Sequence, residues 1–211
     1  MADPQPDDLI ILVADKDMEA AFNGILSRPE ALGIRSVSYK IFTHLHRDPG
    51  CRLESHTFLR HLTRNYSFAV VVFDREGCGK EGLSREQIEV AVERNLHDCG
   101  WVGRSIALAI DPELETWVWS ESIHVDSALG WTGRVPNLRT WLREKEYIKN
   151  ERGIPDRPKE AMEAALRIAR KPRSSNIYSQ LAKTVSFRNC TDPTFNKLRD
   201  SLQLWFREAG Q

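Results

Sequence analysis

Several large protein classes are excluded by what this sequence lacks. No stretch approaches the roughly 18 consecutive apolar residues of a membrane-spanning helix, so no segment is expected to cross a bilayer. The start, Met1-Ala2-Asp3-Pro4-Gln5-Pro6-Asp7-Asp8, is acidic and proline-rich, without the basic and apolar regions of a secretory leader. Cysteine is scarce: Cys51, Cys78, Cys99 and Cys190 form no CxxC pair, unlike a structural zinc framework or a small disulfide-stapled domain. Reduced thiols in a cytoplasm are the expectation, with a disulfide left open by the sequence. There is no GxSxG, no P-loop with its Lys-Ser/Thr and no HExxH, so the chemistries tied to those motifs have no support. Internal repeats and low-complexity tracts are also missing.

Net charge is the last absence: 30 basic and 30 acidic side chains cancel over 211 residues. The 41% hydrophobic and 28% charged fractions are those of a folded globular chain. Its length suits one domain, or one domain with a helical appendage. The cancellation hides a polarity. Residues 1–133 hold 13 Lys+Arg against 21 Asp+Glu, a balance of −8, and residues 134–211 hold 17 against 9, a balance of +8. The densest basic stretch, 134–173, includes Arg167, Arg170, Lys171 and Arg173. These four are the candidate contacts to a DNA or RNA backbone; a solvated helical face, or a complement to the acidic half, is the alternative.

Four apolar segments read as strands: 9–13, 34–42, 68–73 and 106–110. The first, third and fourth are continuous runs, as expected of strands buried on both faces. Helices are expected between them, near 16–26, 57–64 and 84–97, the last opened by a Ser84/Gln87 capping box and stopped by Gly100. Asp48-Pro49-Gly50 reads as a turn. The alternation predicts an α/β domain with a mainly parallel sheet, over residues 1–133. Beyond residue 110 only helices are expected, at about 112–122, 136–150, 158–170, 176–185 and 193–209, so that residues 134–211 form a basic helical region packed on the first.

Ligands of parallel α/β sheets bind outside the carboxyl ends of the strands. Acidic residues follow three of these strands: Asp15, Asp17 and Glu19; Asp74 and Glu76; Asp111, Glu113 and Glu115. Like charges brought together there repel, and a divalent cation with oxygen ligands removes that cost. Helix caps are the plainer role for Asp15, Asp17 and Glu19. If 112–122 is helical, Glu113 and Glu115 face about 200° apart, so only one can reach a shared ion. The metal reading survives if the carboxylates of Asp15, Asp74, Glu76 and Glu115 converge on one volume; it fails if Glu115 turns into a salt bridge and Asp74 caps a helix.

Two rival motifs carry less. Gly77-Cys78-Gly79-Lys80-Glu81-Gly82 is a GxGxxG between a strand and a helix, but Asp74 and Glu76 precede it and would repel a pyrophosphate. His44 and His46, with Asp48, Cys51, His56 and His61 nearby, fit no strong zinc template, and surface or structural histidines are the default.

Three segments, in order and strand context, resemble the Toprim-like domains of bacterial antiphage defence loci, the RloB-related group. They are Leu12-Val13-Ala14-Asp15, Val72-Phe73-Asp74-Arg75-Glu76-Gly77 and Pro112-Glu113-Leu114-Glu115-Thr116-Trp117, and the resemblance spans about residues 8–131. It implies a Toprim/Rossmann-like fold with a mainly parallel four-stranded sheet and a helical C-terminal extension. It implies Mg²⁺ or Mn²⁺ held by Asp74, Glu76 and Glu115, and nuclease chemistry on phosphodiesters with Asp15, Asp74 and Glu115 as catalytic residues. A methylation-associated defence system, with other defence proteins as partners, is the implied setting. The family's first-motif glutamate is Ala14 here, with Asp15 beside it. That departure motivates the alternative of a non-catalytic subunit that binds nucleic acid or protein.

Overall fold

The computed structural model describes residues 6–120, 122–149, 153–188 and 190–207. Four strands, β1 (Asp7–Val13), β2 (Tyr39–Thr43), β3 (Tyr66–Asp74) and β4 (Ser105–Ile110), form one sheet of order β2-β1-β3-β4. Every pairing is parallel: Leu9 sits opposite Tyr39 on one side and Phe68 on the other, and Ala69 opposite Ser105. The expected α/β class with an all-parallel four-stranded sheet flanked by helices is therefore present. Residues 9–13, 69–73 and 107–110 are shut off from solvent, which is why they read as unbroken apolar runs.

The helices of the first half are α1 (Lys16–Leu26), the short α2 (Pro29–Leu32), α3 (Arg47–Leu59) and α4 (Arg85–Leu96). The capping box of α4 forms as expected, with the Gln87 N–H on the Ser84 hydroxyl at 3.3 Å and the Ser84 N–H on the Gln87 side chain at 2.9 Å. Gly100 takes the left-handed conformation (φ 97°) beyond the end of α4.

α3 corrects the sequence reading. Asp48-Pro49-Gly50 is its first turn and not a loop. A proline fits there because the first N–H groups of a helix have no intrahelical acceptor. Gly50 is required for a different reason: a Cβ would stand 2.1 Å from Nδ1 of the His44 ring.

α5 (Ile123–Ala128) closes the first half, and the second contributes α6 (Leu138–Glu144), α7 (Pro158–Ala169), α8 (Ser175–Thr184) and α9 (Pro193–Phe206). α7, α8 and α9 lie close to their expected places. The helix expected over 112–122 is instead a short 3-10 segment, Leu114–Val118, after a cis Asp111–Pro112 bond. The second half is not a separate layer. α8 packs along α1, where a Cβ on Gly24 would meet the Ala182 methyl at 2.6 Å. One apolar core runs from Leu9 to Phe206.

α4 and α9 also close the outer edge of β4. The Ala107 N–H donates to Glu93 at 2.9 Å and the Ala109 N–H to Glu89 at 3.0 Å. Lys197 Nζ donates to both carboxylates and to the Ala107 carbonyl, and the Thr194 hydroxyl reaches the Ala109 carbonyl at 3.4 Å. Backbone groups that an edge strand leaves unpaired are thereby satisfied by side chains.

Candidate metal centre

The carboxyl ends of β1, β3 and β4 bring acidic side chains together. Oxygen atoms of Asp74, Glu113 and Glu115 all lie within 4.8 Å of one another. Asp74 is the last residue of β3. Glu113 is extended (φ −161°, ψ 167°) and Glu115 lies in the 3-10 turn that follows. The 200° separation expected of a regular helix does not apply, because Glu113 precedes the helical turn. Both glutamates therefore reach the same volume.

Each carboxylate already has partners. Asp74 Oδ1 accepts the Leu114 N–H at 2.8 Å, so it caps the 3-10 turn from a neighbouring strand. Glu113 accepts the Lys159 N–H at 2.9 Å, with the Lys159 ammonium 3.8 Å away. Glu115, only 2% exposed, accepts the Tyr178 hydroxyl at 2.6 Å and an Arg173 Nη2–H at 2.8 Å. Arg173 also bonds Asp17 at 3.0 Å and Glu163 at 3.1 Å. Of the four carboxylates expected to converge, Asp74 and Glu115 do so, joined by Glu113 and without Asp15 or Glu76; Glu115 is at the same time spent in an ion pair and Asp74 in capping a turn, the two arrangements expected to count against a metal site.

Burial pushes the Asp74 carboxyl well above the usual range, and the charges of Asp48, Glu115 and Asp15 push the same way. Glu113 is raised by burial and by Glu115. Burial, then the Glu115 carboxylate, raises the Tyr178 phenol, which therefore stays a donor at neutral pH.

The expected residues fall in different places. Asp74 and Glu115 lie in the converging group. Glu76 is exposed and outside it, although its charge is felt at Glu113. Asp15 caps α1, its Oδ1 accepting the Asp17 and Met18 N–H groups at 3.0 Å each. Ala14 is fully buried.

Sequence reasoning missed Asp48 and passed over Glu113. Asp48 reaches across from α3 to accept the Asp74 N–H at 2.8 Å, and burial raises its own pKa. Reading residues 43–51 as a loop concealed it. A helix start beside the end of β3 was the signal that could have found it.

Of the four basic candidates, Arg167 and Arg170 are exposed. Lys171 donates to the Ala128 carbonyl at 2.6 Å, and Arg173 faces the carboxylates. A cleft of about 1070 Å³ is lined by Leu114, Tyr178, Trp117, Phe195 and Arg75, neighbours of the group, but by none of its three carboxylates.

The rival motifs also take definite forms. The N–H groups of Gly77 and Gly79 both donate to Glu81 Oε1, so the glycine turn already holds an anion, its own carboxylate. His44, His46 and Glu54 approach one another closely enough to share an ion. His44 Nδ1 accepts the His46 N–H at 3.1 Å, which places the neutral ring's proton on Nε2, the nitrogen facing Glu54. The Nε2–Glu54 separation is 3.6 Å, beyond hydrogen-bond range, and that tautomer leaves Nε2 without a lone pair for a metal.

No family model, curated protein or solved structure matches this chain. Among the described residues, no helix is long and apolar enough to cross a membrane.

Proposed function

We propose that the chain is a Toprim-like, divalent-cation-dependent phosphodiesterase, a nuclease of a bacterial antiphage defence system associated with methylation. The observation that carries this reading is the convergence of Asp74, Glu113 and Glu115 within 4.8 Å beyond adjacent parallel strands. Arg173 and Lys159 offset part of the repulsion among these carboxylates, and a divalent cation would offset the rest. The donors are oxygens alone, with no thiolate or imidazole in the group, which suits Mg²⁺ or Mn²⁺.

Asp74, Glu113 and Glu115 would hold the ion, with Glu76 at the rim and not among the ligands. A cation there supplies charge neutralisation to a phosphodiester and lowers the pKa of bound water. The protein's own residues do the remaining work. Tyr178 and Arg173 fix Glu115 in one orientation, and Asp74 ties the 3-10 turn to β3. The adjoining cleft offers an aromatic wall of Trp117 and Phe195 to a substrate.

One observation favours the non-catalytic alternative. Where the family's first-motif glutamate is expected stands buried Ala14, and Asp15 is engaged as a helix cap. In that reading the ion holds a nucleic acid or orders the protein, with Arg167 and Arg170 free to contact phosphates and other defence proteins as partners. Cleavage of DNA and RNA with Mn²⁺, wild type against Asp74→Asn, separates the two. Mn²⁺-dependent cleavage lost in Asp74→Asn supports the nuclease. Cation binding without any cleavage supports the binding subunit. No saturable Mn²⁺ or Mg²⁺ binding by wild type refutes both.

A further inference from the structure

We propose that the turn from Gly77 to Glu81 is a phosphate-binding nest, held closed in this conformation by the Glu81 carboxylate. The Gly77 and Gly79 N–H groups converge on a single oxygen, Glu81 Oε1, at 3.0 and 3.1 Å. Two N–H groups aimed at one point form an anion site. Both glycines adopt left-handed backbone (φ 87° and 79°), which other residues reach only with strain.

The frame of the nest does not depend on the Glu81 side chain. Arg75 Nη2 donates to the carbonyls of Glu81 at 2.7 Å and Leu83 at 3.1 Å. Arg52 Nε donates to the Cys78 carbonyl at 2.6 Å, and Cys78 itself is fully buried. The Leu83 N–H closes the turn on the Lys80 carbonyl at 2.9 Å. Removing the carboxylate therefore leaves the two N–H groups in place and without an acceptor.

The surroundings suit an incoming phosphate. Nothing lies within 4 Å of where a Cβ on Gly77 or Gly82 would stand, so the backbone on that side of the turn is uncovered. Arg52 Nη2 is 3.7 Å from the corresponding point on Gly79, which puts a guanidinium beside the nest. Glu81 is held below the usual carboxylate range by its own backbone N–H and those of Gly79 and Gly77, as expected where negative charge is favoured. A dinucleotide is a poor fit, because the nest is short and Asp74 and Glu76 precede it. One phosphate group is the ligand its size admits. The nest begins three residues after Asp74, so it extends the phosphodiesterase reading by naming where a neighbouring phosphate is gripped, while its geometry requires no metal.

The test is a titration of metal-free full-length protein with inorganic phosphate, followed by calorimetry and ³¹P line width. Parallel arms use a thymidine dinucleotide with and without a 5′-phosphate, to distinguish a terminal phosphate from an internal phosphodiester. Glu81→Ala is expected to bind phosphate about tenfold or more tightly than wild type, the equivalent of one or two released charge-assisted hydrogen bonds. Adding Arg52→Met should cancel the gain. If Glu81→Ala is unstable to heat, Glu81→Gln serves, since it removes the charge and keeps the volume. A folded Glu81 variant that binds phosphate no better than wild type overturns the proposal, as does a gain indifferent to Arg52. Because no metal is present, either failure leaves the carboxylate site standing.

Discussion

Arg173→Met removes one charge from the candidate metal centre while keeping most of the side-chain volume. The guanidinium bonds Glu115, Asp17 and Glu163, and Glu115 is the buried partner at 2% exposure. Removing one member of a buried pair typically costs about 3–5 kcal/mol, because the other charge is stranded. Two features lower that figure here. The Arg173 side chain is 32% exposed, and Glu115 retains the Tyr178 hydroxyl at 2.6 Å. A loss of about 2–3 kcal/mol is therefore expected. Urea denaturation at pH 7, with Arg173→Met, Glu115→Gln and the double variant, measures it. The double should lose less than the sum of the singles by about 1.5 kcal/mol or more. Mn²⁺ should then stabilise Arg173→Met more than wild type, since no guanidinium competes for the carboxylates; at a hundred times Kd a bound ion contributes about 2.7 kcal/mol. A single-variant loss under about 0.5 kcal/mol, or strict additivity, would refute the argument that Arg173 neutralises this site.

Three further outcomes follow from the geometry. Asp74→Asn keeps an Oδ1 to accept the Leu114 N–H and removes a charge that burial disfavours, so metal-free stability should change by less than about 1 kcal/mol while Mn²⁺ binding is lost, as calorimetry would show. Asp74, Asp48 and Glu113, which hold protons more tightly folded than unfolded, should add stability as pH falls toward the ordinary carboxylate range, with His44, which burial holds neutral, opposing them; below the ordinary Asp value of 3.8 the Asp8 pair with Arg35 is lost and stability falls. A thermal melt series checks this on a His44→Gln background, where stability that does not rise as pH falls toward the ordinary carboxylate range would contradict it. Gly24→Ala should cost about 1–3 kcal/mol in urea, since its Cβ meets the Ala182 methyl at 2.6 Å and the Ser179 carbonyl at 3.0 Å; an unchanged midpoint would mean that α1 and α8 do not pack so closely.

The sheet was legible because burial on both faces demands unbroken apolar runs, and residues 9–13, 68–73 and 106–110 supply them. β2 was less so. Only Tyr39–Thr43 is strand, at an edge where half-burial relaxes the pattern. The candidate site was legible by element and not by residue. Asp74 and Glu115 stand where strand ends put them. Glu113 was set aside by a helical periodicity that its own extended backbone removes. Asp48 was hidden by a proline and glycine that read as a turn yet sit in the first turn of α3. Arg173 was read as a phosphate contact from charge density alone; its side chain turns inward because Glu115, Asp17 and Glu163 surround it. The opposed charges of the two halves meet at this point.

The carboxylates and the ammonium along β4 have a consequence for self-association. Sheets of neighbouring molecules can join edge to edge into an open-ended fibre only if both edges of every sheet accept a strand. Here the outer N–H groups of Ala107 and Ala109 are taken by Glu93 and Glu89, and the matching carbonyls by Lys197 and Thr194. A sheet with one sealed side can add a strand on the other at most once. Edge-to-edge addition through the native sheet therefore has no second edge to continue from, whatever the state of β2.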